Sequence, residues 1–393
     1  RTSAERYLAT CYTYFPELSA PSGDPAILGS DEWWAIEDNF YNGQNQNYAG
    51  LKIKKGELNS NDPLFNFWDG LNGGRACYRA IRDCNVFLEN IHKVGNDLSE
   101  EESRRWVAEV KTLKAYYHYY LMRMYGPVPI VKENLPISAG IEEVRVYRDP
   151  FDEGIDYIVG LLDEAVPDLP LQILNISSEL GRITQPIALA LKAEILVMAA
   201  SPLFNGNPDY KSFTDNRGIP LFSQEYSREK WEKAAVACKN AIDTSLLAGH
   251  DLYEFTKQTN VSDSTKLLMS LRHVVTDRWN REIIWTEAKL SMNAYQRATT
   301  PMFFIEQHQW MPTDPYMSPT LRMAELFYTE NGVPIDEDKQ FDYANRFSTE
   351  PAPANHKYYI QPGYQTAKLN IGREVRFYAN LAFDGAIWFG NGR

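Results

Sequence analysis

Two loop-rich stretches of the sequence place indole and phenol rings beside amides and carboxylates. Such rings offer an apolar face to the C–H surface of a sugar, while amides and carboxylates can bond its hydroxyls. The alternative is that the rings fill the core beneath the loops. As stacking candidates we take Trp33, Trp34, Tyr41, Trp279, Tyr295, Trp310 and Tyr316. As weaker hydrogen-bonding candidates we take Asn39, Asn42 and Gln44.

Motifs of catalysis are missing from the sequence. It contains no G-x-S-x-G, no Walker-type GxxxxGK[ST], no GxGxxG, no HExxH and no CxxC. The six histidines form no pair at helical i,i+4 spacing. We therefore predict no catalytic residues, no metal site and no cofactor. A glycosidase is the enzymatic alternative, because its two carboxylates are recognised by spatial separation and carry no sequence signature.

The charge balance argues against two classes of partner. The formal net charge is −12 at pH 7, and lysines and arginines form no run. Nucleic acid and anionic membrane surfaces are therefore not expected partners. The sequence has no run of about eighteen apolar residues, so we predict no transmembrane helix. Cys77 and Cys84 lie about 10 Å apart along a predicted helix, too far for a disulfide, and are expected to be buried.

The elements that must carry the loops are amphipathic helices. The segment 99–125 has apolar residues at spacings of three and four, a capping signal at Ser99 and Glu102, and a stop at Gly126. Its tyrosines are interpreted as packing between helices. Further helices are predicted from Pro63 to about residue 92, over 152–170, over 184–202 and over 227–243. In the last of these, the predicted packed face is Trp231, Ala235, Cys238 and Ile242.

These paired helices predict a mostly α fold with a TPR-like helical-repeat scaffold, although the 34-residue period is not clean. We expect the scaffold over residues 1–250, with an irregular loop region at 16–61. Residues 251–393 form a loop-rich segment with short strands, for which 282–288 and 375–383 are candidates. The whole is expected to be one structural domain.

Five segments, taken in order, resemble the SusD/RagB-like outer-membrane lipoproteins that bind nutrients. The helix ending in Tyr125-Gly126-Pro127-Val128-Pro129 is similar to one hallmark of that family. The other four segments that resemble the family span residues 77–91, 181–206, 318–336 and 373–388. Glu374-Val375 replaces the Asp-Pro of the family pattern. The family's C-terminal helices and the N-terminal region with the lipid-bearing cysteine have no counterpart, so the sequence looks like an incomplete copy.

The resemblance implies a non-enzymatic, cell-surface lipoprotein of the outer membrane. It would bind an oligosaccharide or polysaccharide and deliver it to a SusC-like TonB-dependent porin, with an N-terminal lipid, absent from this sequence, as its only membrane attachment. Three alternatives remain open. They are uptake of a peptide or other nutrient, an all-helical glycoside hydrolase, and an assembly scaffold whose only partner is a protein.

Overall fold

A computed structural model describes residues 1–16, 18, 24–35, 48–257, 260–286, 293–300 and 316–387. Its α-helices in chain order are α1 Thr2–Cys11, α2 Pro25–Leu28, α3 Ala49–Lys54, α4 Cys77–Asn90, α5 Glu100–Tyr125, α6 Ile141–Val144, α7 Phe151–Ala165, α8 Ile176–Glu179, α9 Gln185–Ala200, α10 Arg228–Leu247, α11 Asp263–Thr276, α12 Asn293–Thr299, α13 Leu321–Leu326 and α14 Val375–Asn380. Its strands are β1 Trp33–Ala35, β2 Met317–Pro319, β3 Thr349–Pro351 and β4 Gln365–Ala367.

The chain divides into two compact units. The helical unit comprises Arg1–Glu17, Leu58–Asp251 and Ile283–Leu290. The turn-rich unit comprises Leu18–Glu57, Leu252–Glu282 and Ser291–Arg393. The predicted mostly helical, TPR-like scaffold with short strands in a loop-rich segment is confirmed.

In the helical unit, the long helices pack on one another in chain order. Helix α5 packs against α4 and α7, and α9 packs against α7 and α10. The predicted ends of α5 are confirmed, since Ser99 Oγ accepts a hydrogen bond from the Glu102 N–H at 3.2 Å and Gly126 has φ 69°. Tyr117 and Tyr120 are buried as predicted. Cys77 and Cys84 are likewise buried, which confirms that expectation.

A buried carboxylate ties three segments of the helical unit together. Glu109 of α5 is 0% exposed and accepts hydrogen bonds from the Tyr12 hydroxyl at 2.7 Å and from Arg105 Nε at 3.1 Å. Arg182, which precedes α9, donates two further bonds at 2.8 and 3.1 Å. Burial raises the pKa of Glu109, and the two arginines act in the opposite direction. These bonds occupy the carboxylate from several sides, as a buried charge requires.

Two sequence-based helix predictions were wrong in detail. The predicted helix from Pro63 begins only at Cys77, because the intervening chain turns through Gly70 and Gly73, whose φ angles are 93° and 88°. In α10 the buried face consists of small residues, Ala234, Ala237, Ala241 and Ser245. Trp231 and Ile242 of the predicted face are exposed. Alanines of α9 and α10 form one cluster, and their small side chains allow the close approach of the two helices.

In the turn-rich unit, short elements surround a separate core. Strand β1 pairs antiparallel with β2, and β3 with β4. Helix α11 packs on α14, whose Phe377 and Tyr378 are buried. The extended structure predicted for 375–383 was therefore wrong, because packing of these two rings overrides the strand propensity of the segment. Residues 282–286 form no strand either, while 287 and 288 lie outside the described residues.

Candidate functional site

Strand β1 determines which way the two adjacent tryptophans face. It pairs antiparallel with β2, so that Trp33 lies opposite Pro319 and Trp34 opposite Ser318. Side chains alternate along a strand. Trp33 and Ala35 accordingly pack on an apolar cluster, and Trp34 points the other way with 66% of its surface exposed.

The cluster beneath β1 gathers three of the predicted ring residues. Its buried members are Leu28, Ala35, Leu51, Ala298, Tyr316 and Met317. Trp33 and Tyr295 pack against it. Tyr316 is 8% exposed and stacks on Tyr48 with ring centroids 6.0 Å apart. Burial raises the pKa of Tyr295. These rings fix the strand from below, while the Trp33 carbonyl accepts a hydrogen bond from Lys54 Nζ at 2.6 Å.

The remaining predicted residues are elsewhere. Trp279 follows α11, is 40% exposed and has φ 52°, a left-handed conformation that is uncommon for a large residue. It does not belong to the cluster beneath β1. Five candidates lie outside the described residues: Asn39, Tyr41, Asn42, Gln44 and Trp310. Ligand binding by the ten residues stays a prediction.

Trp34 is the described candidate whose geometry suits stacking. A ring of this size held on a fixed strand loses little freedom when a ligand lies on it, and such a contact contributes on the order of 1 kcal/mol. Trp33 and Tyr316 supply the support instead. The pair Trp33-Trp34 therefore divides into a packed residue and a presented one.

Sequence reasoning missed a surface pocket of about 280 Å³ in the turn-rich unit. It is lined by residues from 329–331, 338–342 and 368–372, together with Glu350 and His356. Hydrogen bonds from Thr329, Asn331 and the Gln340 N–H hold the pKa of Asp338 below its usual value. The run of acidic residues from Glu330 to Asp342 was a visible signal, but its partners come from more distant parts of the chain.

The described residues offer neither a metal-binding cluster nor a membrane-spanning helix. Among the described residues, no group of three or more histidine, cysteine or acidic side chains has an arrangement that could hold a metal ion. Within the same part of the chain, no helix combines the length and apolarity needed to cross a bilayer.

Two family models match successive parts of the chain. The SusD-like family described as "Starch-binding associating with outer membrane" matches residues 25–196. The SusD family model, SusD_RagB, matches residues 281–392. Together the two matches span most of the described chain. No curated protein sequence matches it.

Solved structures show the same fold. The protein named BT4246 is 30% identical, with a TM-score of 0.80 over 98% of this chain and 65% of that one. A SusD-like protein (BF3747) from Bacteroides fragilis is 20% identical, with a TM-score of 0.62 over 96% of this chain and 60% of that one. Surface glycan-binding protein A from Bacteroides uniformis is 17% identical, with a TM-score of 0.53 over 96% and 68% of the respective chains.

The chain thus spans 65% of the length of BT4246. At their level of identity, the B. fragilis and B. uniformis proteins show similarity of fold alone. The two family models and the similarity to BT4246 extend over both units of the chain. On these grounds the chain belongs to the SusD/RagB-like family.

Proposed function

We propose that this protein binds an oligosaccharide or polysaccharide at the bacterial cell surface without transforming it. The observation that carries the proposal is Trp34, which is 66% exposed on a strand whose opposite face packs on an apolar cluster. The description of the matching family as starch-binding supports a glycan ligand. The name of the B. uniformis relative, a surface glycan-binding protein, agrees with it.

Binding would combine stacking with hydrogen bonds. A pyranose ring laid on Trp34 exchanges water for the indole face, and nearby amides and carboxylates bond its hydroxyls. A few such contacts, each on the order of 1 kcal/mol, give dissociation constants in the micromolar to millimolar range, about 4 to 8 kcal/mol. Weak binding of this kind allows release to a transporter.

The partner would be a SusC-like TonB-dependent porin of the outer membrane, to which the protein delivers its glycan. A lipid at the N-terminus of the mature protein would attach it to the membrane. The description of the matching family as associating with the outer membrane supports this location. Co-purification of the porin from the native membrane tests the delivery step, and recovery without any porin would contradict it.

Calorimetry with a panel of polysaccharides tests the binding site. Trp34→Ala is expected to weaken binding about five-fold, which corresponds to about 1 kcal/mol. Trp231→Ala is the matched control, since this tryptophan is 40% exposed in the helical unit. Trp33→Ala and Trp310→Ala extend the series. Unchanged affinity in all three site variants would overturn the assignment of the site.

Two further outcomes test the function itself. Retention of peptides and of no glycan on immobilised panels would favour uptake of a different nutrient. Incubation with the bound glycan, followed by chromatography, is expected to give no shorter products. Their formation would identify a hydrolase.

A further inference from the structure

The pocket of the turn-rich unit is strongly acidic. Among the lining residues that the structure describes, four carboxylates surround a volume of about 280 Å³ and Lys368 is the only lysine or arginine. This volume is close to the lower end of the range for small-molecule pockets, about 300 Å³. The site therefore suits a ligand the size of a single sugar residue.

Two of the carboxylates already have strong partners. Asp338 accepts hydrogen bonds from Thr329 Oγ1 at 2.6 Å and Asn331 Nδ2 at 3.0 Å. Asp342 accepts one from Lys368 Nζ at 2.7 Å. Glu350 lies 4.0 Å from the same Lys368 Nζ, at the limit of an ion pair.

Glu330 is different. Its carboxylate has neither a hydrogen bond nor an ion pair with any described residue, although its backbone N–H donates to the Gly372 carbonyl at 2.8 Å. Glu330 is exposed, so a fixed backbone presents a solvated negative charge without a protein partner among the described residues. Such a charge favours a cationic ligand over a neutral one.

A second polar group in the pocket also has no partner. His356 lines the pocket with only 7% of its surface exposed, and its Nδ1 atom is buried without a hydrogen-bond partner in the described part of the chain. A buried polar atom without a partner is costly and uncommon. A hydroxyl of a ligand could supply the missing bond.

The walls of the pocket are held rigidly from behind. Arg373, 2% exposed, donates hydrogen bonds of 2.7 Å to the carbonyls of Leu369, Ala324 and Phe327. These bonds join the segment before Thr329 to the segment after Lys368. The site is therefore largely formed before a ligand arrives, which lowers the entropic cost of binding.

We propose that this pocket binds an amine-bearing sugar, a polyhydroxylated ring with a free ammonium group. Glu330 pairs with the ammonium, and His356 Nδ1 bonds a hydroxyl. The ring of Phe341, also part of the lining, offers an apolar face for the sugar's C–H groups. The site uses residues other than those around Trp34 and does not depend on the function proposed above.

Calorimetric titration of the full chain with glucosamine tests the proposal. Glucose and N-acetylglucosamine lack the charge, and glycinamide carries an ammonium without the sugar ring. Glucosamine is expected to bind about five-fold tighter than each of the three, because an ion pair with the exposed Glu330 adds to the bonds of the hydroxyls. Equal affinity for any of them, or no binding of glucosamine, would overturn the proposal.

A pair of variants locates the bound amine. Glu330→Gln keeps the shape of the side chain and is expected to weaken glucosamine binding about five-fold. Glu337→Gln, at an exposed glutamate outside the lining, is the control and is expected to change nothing. Equal loss in both variants would show an effect of overall charge and contradict the assignment.

Nitrogen NMR of the histidine rings gives a readout in the unsubstituted protein. Glucosamine is expected to shift the Nδ1 resonance of His356, which His356→Gln identifies by its disappearance. An unchanged resonance at saturating glucosamine would contradict the predicted hydroxyl bond. The two sites share no residue: Trp34→Ala tests polysaccharide binding at β1 and Glu330→Gln tests preference for the amine at the pocket, so a failure of one proposal is distinguishable from a failure of the other.

Discussion

The aromatic rings of helix α5 and of strand β1 are chemically alike and lie in opposite surroundings. Tyr117, Tyr119 and Tyr120 of α5 are at most 3% exposed, whereas Trp34 of β1 is 66% exposed. Helix α5 packs against helices on both sides, so its rings have neighbours in most directions. A short strand in a two-stranded sheet leaves one face open. Aromatic content therefore indicates binding only when the element leaves a ring face free.

The same contrast applies to two glutamates. Glu109 in the helical unit is completely buried, and a tyrosine and two arginines bond its carboxylate. Glu330 in the turn-rich unit has no side-chain partner within the described residues. In the first case the protein satisfies the group itself, and such a group maintains the fold. In the second case the group is available to a ligand.

The largest expected effect comes from removing a packed ring. Tyr117→Ala is expected to lower the free energy of unfolding by about 3 to 5 kcal/mol, because the ring is 0% exposed and its loss creates a cavity. Trp34→Ala is the matched substitution in β1 and is expected to change stability by about 0.5 kcal/mol or less. Urea unfolding followed by far-UV circular dichroism measures both.

A larger loss of stability in Trp34→Ala than in Tyr117→Ala would contradict the contrast between the two regions. A large loss of stability in Trp34→Ala would mean that its indole is part of the core. Its role as a presented ring would then be wrong. A small loss in Tyr117→Ala would mean that α5 can close over the cavity.

Much of α5 could be predicted from the sequence, whereas little of the pocket could. Apolar spacing, the capping serine and Gly126 are local signals, and they gave the helix its correct ends. The orientation of Trp34 depends on a partner strand at 317–319, and the pocket depends on carbonyls that Arg373 joins across distant turns. Such pairings between segments far apart in sequence leave no periodic signal.

His118 provides a pH-dependent test of the buried surroundings of helix α5. It lies in α5, where Nδ1 donates to the Lys114 carbonyl at 2.9 Å and Nε2 accepts from the Val131 N–H at 3.2 Å. Burial lowers its pKa from 6.5 to about 4. Between these values the unfolded chain takes up a proton that the folded chain does not. The contribution of His118 to the free energy of unfolding is therefore fully present above pH 6.5. It is lost as the pH falls to about 4, and the loss amounts to about 3 kcal/mol in all.

Urea unfolding at a series of pH values measures this effect. His118→Gln is the control, since glutamine also has a donor and an acceptor but does not titrate. The difference in pH dependence between the two proteins isolates the histidine from carboxylates that titrate in the same region. Parallel curves would show that the folded protein accommodates a charged imidazole at this position.

The smallest expected effect separates two tyrosine hydroxyls within α5. The Tyr117 hydroxyl donates to the Cys11 carbonyl at 2.6 Å in a buried environment, so Tyr117→Phe leaves that carbonyl without its bond and is expected to cost about 1 kcal/mol. The Tyr119 hydroxyl donates to Glu194 at 2.9 Å, whose side chain is 57% exposed. Water can replace that bond, and Tyr119→Phe is expected to cost about 0.5 kcal/mol or less.

The difference in urea midpoint between the two variants measures the difference in cost between the two hydroxyls. Equal costs would mean that burial of the partner does not decide the value of the hydroxyl, and the contrast between satisfied and available groups would lose its energetic basis.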